Sequence, residues 1–191
     1  AMRDAQRACE GSVIQLGAQN VDDHGSGSFC GGYPAALLRE FCRYGFVGHS
    51  EQRLYYGDTD ERINRRLLAC LEAGLTPILC AGESREIYER GETLSHVRRQ
   101  LERDLQSVTQ PQDLILLYEP IWALGTGLHP DPVEIGALMQ QIRQLVLELL
   151  GEPWREHLRF VYAGSIRPEN AAVYASLPAV DGLAVGSASL D

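Results

Sequence analysis

Lysine is absent from this 191-residue sequence, and all 17 of its basic side chains are arginine. The chain therefore has no ammonium side chain of its own with which to hold a substrate. It also lacks any apolar run approaching the ~20 residues of a membrane span. Its first residues lack the apolar core of a secretory signal. The five cysteines, at 9, 30, 42, 70 and 80, are odd in number and include no Cys-x-x-Cys pair. That pattern argues against a disulfide framework or a zinc site and for reduced thiols in a cytoplasm. No residue group reads as a metal site. A formal net charge of −9 disfavours nucleic acid and anionic membranes as partners. An anionic substrate must be held by local dipoles and backbone amides against that field.

What remains is a soluble globular pattern. The chain is 45% hydrophobic and 23% charged, and its length suits one domain with a sizeable core. Short apolar runs recur at Val13–Gly17, Tyr44–Val47, Thr76–Cys80, Leu114–Tyr118, Leu158–Tyr162 and Val180–Val185. Helical patterns lie between most of them. Thr59 can cap a helix with Asp60 and Glu61 in its first turn, an apolar face of Ile63, Leu67, Cys70 and Leu71, and Gly74 at its end. Thr93 to Val108 and Val133 to Leu150 are amphipathic, and Pro168 opens another helix. Strands that alternate with helices imply parallel βα units.

One string stands out: Tyr118-Glu119-Pro120-Ile121-Trp122-Ala123-Leu124-Gly125-Thr126-Gly127. It places a carboxylate at a strand end, with a proline that keeps Glu119 extended. A bulky apolar segment follows, and two glycines free its far end. Such an arrangement suits a base that works behind a closing lid. A Glu facing water in a strand-to-helix turn is the plain alternative for any single Glu-Pro pair. His49 lies between the run Tyr44–Val47 and a short helix opened by Ser50. A helix N-terminus disfavours imidazolium there, so the ring can stay neutral and donate a hydrogen bond.

This string resembles the lid of the triosephosphate isomerase family. Gly17-Ala18-Gln19-Asn20, Gly48-His49-Ser50-Glu51, Pro77 through Glu83, Tyr162 through Asn170 and Asp181 through Gly186 are similar to that family in the same order. The resemblance implies a (β/α)8 barrel with its chemistry at the C-terminal ends of the strands. Six strands are present, so the chain is expected to be a partial barrel. Residues 1–191 form its single domain, running from the third strand to the eighth without the first strands or the last helix. The implied reaction is cofactor-free interconversion of dihydroxyacetone phosphate and D-glyceraldehyde 3-phosphate through an enediol(ate), a step of glycolysis and gluconeogenesis. Glu119 as base and neutral His49 as electrophile are carried over from the family. So are Glu51 as a supporting carboxylate, Cys80 as a packing residue beside the base, and Pro120, Ile121, Trp122, Ala123, Leu124, Gly125 and Thr126 as the lid. Gly125, Ser165, Gly186 and Ser187 are implied to hold the phosphate, Tyr162 and Ser165 to latch the lid, and Arg143 and Asp181 to form a structural ion pair. A solvated helix residue is the alternative for Glu51. A tight turn is the alternative for each glycine.

The resemblance further implies a homodimer in the cytoplasm, acting on a small phosphorylated sugar. Departures from the family temper these expectations. The family's asparagine and lysine after the first strand have no counterpart here, so the chain on its own is expected to be inactive. Gly32 and Gln52 stand where the family pairs Glu with Arg across the dimer, and Cys30 replaces a threonine in the same loop; a weakened dimer is expected. Ala163 and Ser187 each replace a common glycine near the phosphate. Ala184 replaces a bulky leucine near the base. Two alternatives follow: an isomerase paralogue for a four-carbon sugar phosphate, and a non-catalytic phosphate-binding paralogue.

Overall fold

The computed structural model describes residues 1–25, 27 and 29–190. Six strands form one sheet: β1 (Gly17–Ala18), β2 (Tyr44–Val47), β3 (Thr76–Ala81), β4 (Leu114–Tyr118), β5 (Leu158–Tyr162) and β6 (Gly182–Leu183). Every neighbouring pair is parallel, and the spatial order follows the chain order from β1 to β6. An open doubly wound sheet reverses its order at a switch point. No reversal occurs here, so the sheet winds steadily as the wall of a barrel does. The architecture is a partial TIM barrel of six strands.

Among the described residues, eight α-helices connect and cover the strands: α1 (Met2–Cys9), α2 (Ala35–Leu38), α3 (Ser50–Tyr55), α4 (Asp60–Glu72), α5 (Arg85–Glu89), α6 (Thr93–Asp104), α7 (Pro132–Leu150) and α8 (Pro168–Ala175). The expected signals act as written. Thr59 caps α4 by accepting the Arg62 amide at 3.3 Å, and Gly74 ends the segment at φ +73°. Ile63, Leu67 and Cys70 are fully buried on one α4 face against the sheet. Asp131 caps α7 by accepting the Val133 amide at 2.8 Å, with Pro132 in the first turn. Each fully buried aliphatic side chain contributes about 1.5–3 kcal/mol, which outweighs the modest propensity of these helices.

The two faces of the sheet are unlike. The outer face holds the main core, including Leu79, Leu116, Phe160, Trp154 and the inner faces of α4, α6 and α7. The inner face carries a small cluster of Cys80, Leu117 and Ala163, flanked by half-buried Phe46, Ile78, Val161 and Ala184.

The central strands match the expected runs closely; the edge strands do not. The first run, Val13–Gly17, is not a strand over most of its length. Val13 and Ile14 are 95% and 62% exposed, and pairing begins only at Gly17. The last strand shrinks from Val180–Val185 to two residues, although Asp181 and Ala184 still donate amides to Phe160 and Tyr162. An edge strand is held by one ladder instead of two, so apolar residues alone do not extend it.

Candidate active site

The C-terminal ends of the strands surround a cleft of about 800 Å³. His49, Glu51, Glu119, Leu124, Gly125, Ser165, Ala184, Gly186 and Ser187 all line it. The fold thus brings together residues spread over 139 positions of sequence, which the strand-end motifs anticipated.

Glu119 follows β4 directly. Its backbone N–H donates to the Ala81 carbonyl at 2.9 Å, and it is only 2% exposed. Gly82 makes this approach possible: a Cβ there would lie 1.8 Å from the Glu119 carbonyl oxygen. The carboxylate is divided in its duties. Oε1 accepts the Ser50 amide at 2.6 Å, while Oε2 lies 3.5 Å from His49 Nε2. The second distance is beyond a good direct hydrogen bond, so Oε2 keeps its capacity to accept a proton.

His49 is the N-cap of α3. Its Nδ1 accepts the Glu51 amide at 3.3 Å. A nitrogen that accepts carries no proton, so the ring proton sits on Nε2, the atom facing Glu119. Gly48, at φ +75°, makes the turn that aims the ring, and a Cβ there would meet Ile63 and the Cys80 carbonyl at 3.2–3.3 Å.

The segment expected to form the lid starts at Pro120. Pro120 is followed by a short 3₁₀ turn, Ile121–Ala123. Trp122 donates its indole N–H to Glu83 Oε1 at 2.9 Å and stacks on Tyr88 at 4.2 Å between centroids. Gly125 and Gly127 both adopt positive φ, +66° and +74°. Thr126 Oγ1 closes a local turn by donating to the Ala123 carbonyl at 3.0 Å. Ser165 hydroxyl also donates to the Ala123 carbonyl, so it does touch the lid. Tyr162 does not: its hydroxyl is buried with no hydrogen-bond partner among the described residues, and it fills the space a Cβ on Gly164 would need. Of the two residues expected to latch the segment, Ser165 bonds it here and Tyr162 does not.

Gly125, Ser165, Gly186 and Ser187 border the same cleft from the lid, the loop after β5 and the loop after β6. Ser187 opens a 3₁₀ turn, Ser187–Ser189, behind Gly186. Cys80 is fully buried, and burial pushes its thiol well above the ordinary range, which suits packing and not nucleophilic attack. The Glu51 carboxylate is exposed, with no bond partner among the described residues, so the solvated alternative describes its side chain while its amide orients His49. Arg143 Nη2 pairs with Asp181 Oδ2 at 2.6 Å as expected, and the same oxygen accepts the Phe160 amide at 2.7 Å.

Sequence reasoning missed three contributors. The Ser50 amide that grips Glu119 spans 69 positions. Glu83 anchors the lid tryptophan and accepts from the Tyr118 hydroxyl at 3.1 Å; burial raises its pKa. Gly82 clears room for the base. Glu83 and Gly82 sit inside a motif already noted, but nothing local told what they would touch.

A parallel barrel wall with a carboxylate–imidazole pair at its strand ends, and small residues of three loops bordering the same cleft, fits a (β/α)-barrel isomerase class of site. The comparisons make this specific. The family model for triosephosphate isomerase matches residues 1–191. The triosephosphate isomerase of Thermus thermophilus is 43% identical over 181 residues, covering 93% of this chain and 72% of that protein. That of Symbiobacterium thermophilum is 42% identical over 184 residues, covering 95% and 72%. That of Carboxydothermus hydrogenoformans is 41% identical over 193 residues, covering 100% and 77%. The chain belongs to the triosephosphate isomerase family.

Proposed function

We propose that the Glu119–His49 pair carries out triosephosphate isomerisation, interconverting dihydroxyacetone phosphate and D-glyceraldehyde 3-phosphate. The observation that carries this reading is the placement of Oε2 and Nε2 side by side, 3.5 Å apart, at the mouth of one cleft. Glu119 Oε2 takes the proton from the carbon next to the carbonyl. His49 Nε2–H donates to the carbonyl oxygen and stabilises the enediolate as it forms. His49 Nε2 passes its proton to the former carbonyl oxygen and takes one from the hydroxyl on the neighbouring carbon, while the carboxylic acid returns its own proton to the former carbonyl carbon, so the carbonyl moves by one carbon and His49 and Glu119 are regenerated. No electrons leave the substrate, so the step needs no redox cofactor. Gly125, Ser165, Gly186 and Ser187 hold the phosphate, and the lid Pro120 to Thr126 excludes water that would divert the enediolate. The test is an isomerase assay on the full-length protein in both directions; no turnover in either would sink the reading.

A second reading rests on Ala184, which borders the cleft beside Leu124. The added space admits a four-carbon sugar phosphate. We also propose that residues 1–191 act as one barrel domain, in a cytoplasmic protein that works in glycolysis and gluconeogenesis. No described helix is long and apolar enough to cross a membrane.

The dimer proposal rests on the exposed apolar side chains Leu54, Tyr55 and Tyr56 on and after α3, and Phe29 and Tyr33 in the loop before α2. It is a looser dimer than the family's. Gln52 is engaged within its own chain, accepting from Asn20 at 3.2 Å, and Asp22 occupies the space a side chain at Gly32 would need. Sedimentation of the full-length protein over a dilution series should show dissociation above subnanomolar concentration; a dimer persisting below it contradicts the proposal.

A further inference from the structure

The turn Gly48-His49-Ser50 delivers both halves of the site. His49 supplies the imidazole, and the Ser50 amide grips Glu119 Oε1. The first turn of α3 bonds the His49 carbonyl, and a side chain from the same helix holds the Gly48 carbonyl before it. Arg53 reaches back from α3 and donates through Nε to the Gly48 carbonyl at 3.1 Å. Its other two nitrogens are themselves fixed. Nη2 donates to Asp104 Oδ2 at 2.7 Å, and Nη1 to Asp60 Oδ1 at 2.6 Å. Asp104 is fully buried at the end of α6, and its Oδ1 finds no partner among the described residues.

An ion pair this deep does little for stability, because the cost of desolvating both charges rivals their attraction. Its geometric effect is large. A planar guanidinium bound at three corners has no freedom to rotate, so the Gly48 carbonyl it holds has none either. We propose that Asp104 and Arg53 form a buried tether that fixes the Gly48–Ser50 turn, and so are positioning residues for His49 and Glu119. This rests on the isomerase reading of that pair.

The tether has a pH signature. Burial pushes the Asp104 carboxyl up to about 7 against the opposing pull of Arg53. The groups that act on it are Arg53 from α3, Asp60 and Glu61 from α4, and Cys80 from β3; on α6 itself Arg103 pairs with Asp60, and His96 feels Arg53 and Asp60. Above about 7 the carboxylate is charged and the tether is taut. Below it, protonation leaves a neutral acceptor and a looser arginine.

The experiment compares full-length wild type with Asp104→Asn, Asp104→Ala and Arg53→Lys. In the Asp104 variants Arg53 keeps Asp60, so no charge is orphaned and folding should survive. Asp104→Ala should lower kcat about tenfold with KM changed less than about twofold, the pattern of a misplaced catalytic group. Arg53→Lys should do the same, since one ammonium cannot span three acceptors. The ratio of wild-type to Asp104→Asn kcat should shrink as pH falls through about 7, which cancels the titration of every group the two share. Independently of activity, the His49 ring nitrogen signals in ¹⁵N NMR should lose the pattern of an Nδ1 acceptor in Asp104→Ala. Unchanged kcat and unchanged His49 signals, with only a melting shift, would overturn the tether and leave an ordinary ion pair. If wild type itself shows no isomerase activity, the functional reading fails, and the NMR comparison alone decides the tether.

Discussion

Two carboxylates stand at neighbouring strand ends, Glu83 beyond β3 and Glu119 beyond β4, and both are essentially buried. Their surroundings differ in one respect that matters. Glu83 is closed in by donors: the Tyr118 hydroxyl reaches both of its oxygens and the Trp122 indole reaches one. Glu119 has a single backbone amide on Oε1, and its Oε2 looks toward His49 and the cleft. Burial is the same, yet Glu83 is enclosed by donors while Glu119 keeps one oxygen open toward His49 and the cleft. The number of donors and the access to substrate separate them.

The largest expected effect comes from moving the free carboxylate. Glu119→Asp shortens the side chain by one methylene, about the misplacement that costs ~100-fold in rate. In the full-length enzyme kcat should fall by that order while inhibition by inorganic phosphate is nearly unchanged; normal turnover would remove Glu119 from the mechanism.

The next prediction attacks the contact that packs the two loops together. Gly82→Ala places a methyl group 1.8 Å from the Glu119 carbonyl, so backbone must shift. A loss of about 2 kcal/mol, within the range for overpacking, should appear in urea melts. An undisturbed midpoint would show that the loops separate at little cost.

Trp122→Phe removes one donor from Glu83 and leaves the Tyr88 stack possible. A charge-assisted hydrogen bond contributes ~1.5 kcal/mol, so hydrogen exchange of the lid amides should quicken about tenfold. Equal exchange rates would mean the indole bond does not restrain the lid. The pH dependence is a companion check. Burial is the main cause of the raised Glu83 pKa, so the folded state holds this proton more tightly than the unfolded chain does. Stability should therefore decline as pH rises from the unfolded value through the folded one, and Glu83→Gln should flatten that slope. A slope identical in the variant would place the titration elsewhere.

The smallest effect concerns the wall opposite the base. Ala184→Leu should penalise a tetrulose phosphate over glyceraldehyde 3-phosphate by about fivefold in kcat/KM, the low end of the ~1–3 kcal/mol per methylene. Equal effects on both substrates would leave the four-carbon reading without support.

Much of this molecule was legible before any coordinates. The runs Tyr44–Val47, Leu114–Tyr118 and Leu158–Tyr162 are strands with the expected bounds, and Thr59, Gly74 and Pro168 mark helix ends as their chemistry requires. These features are local: the information lies within a few residues of where it acts. That Glu119 and His49 would share one cleft was legible because contiguous strings carry them. The edge strands, the idle Tyr162 hydroxyl, the fastening by Glu83 and the Asp104–Arg53 pair were not visible in the chain. Glu83 and the Asp104–Arg53 pair depend on partners 35 or more positions apart, the edge strands on a ladder that one side lacks, and the Tyr162 hydroxyl on how the core packs around it. Periodicity can tell which face of a helix turns inward. Only the packed sheet decides which buried carboxylate meets a tyrosine, which meets an arginine, and which is left facing the cleft.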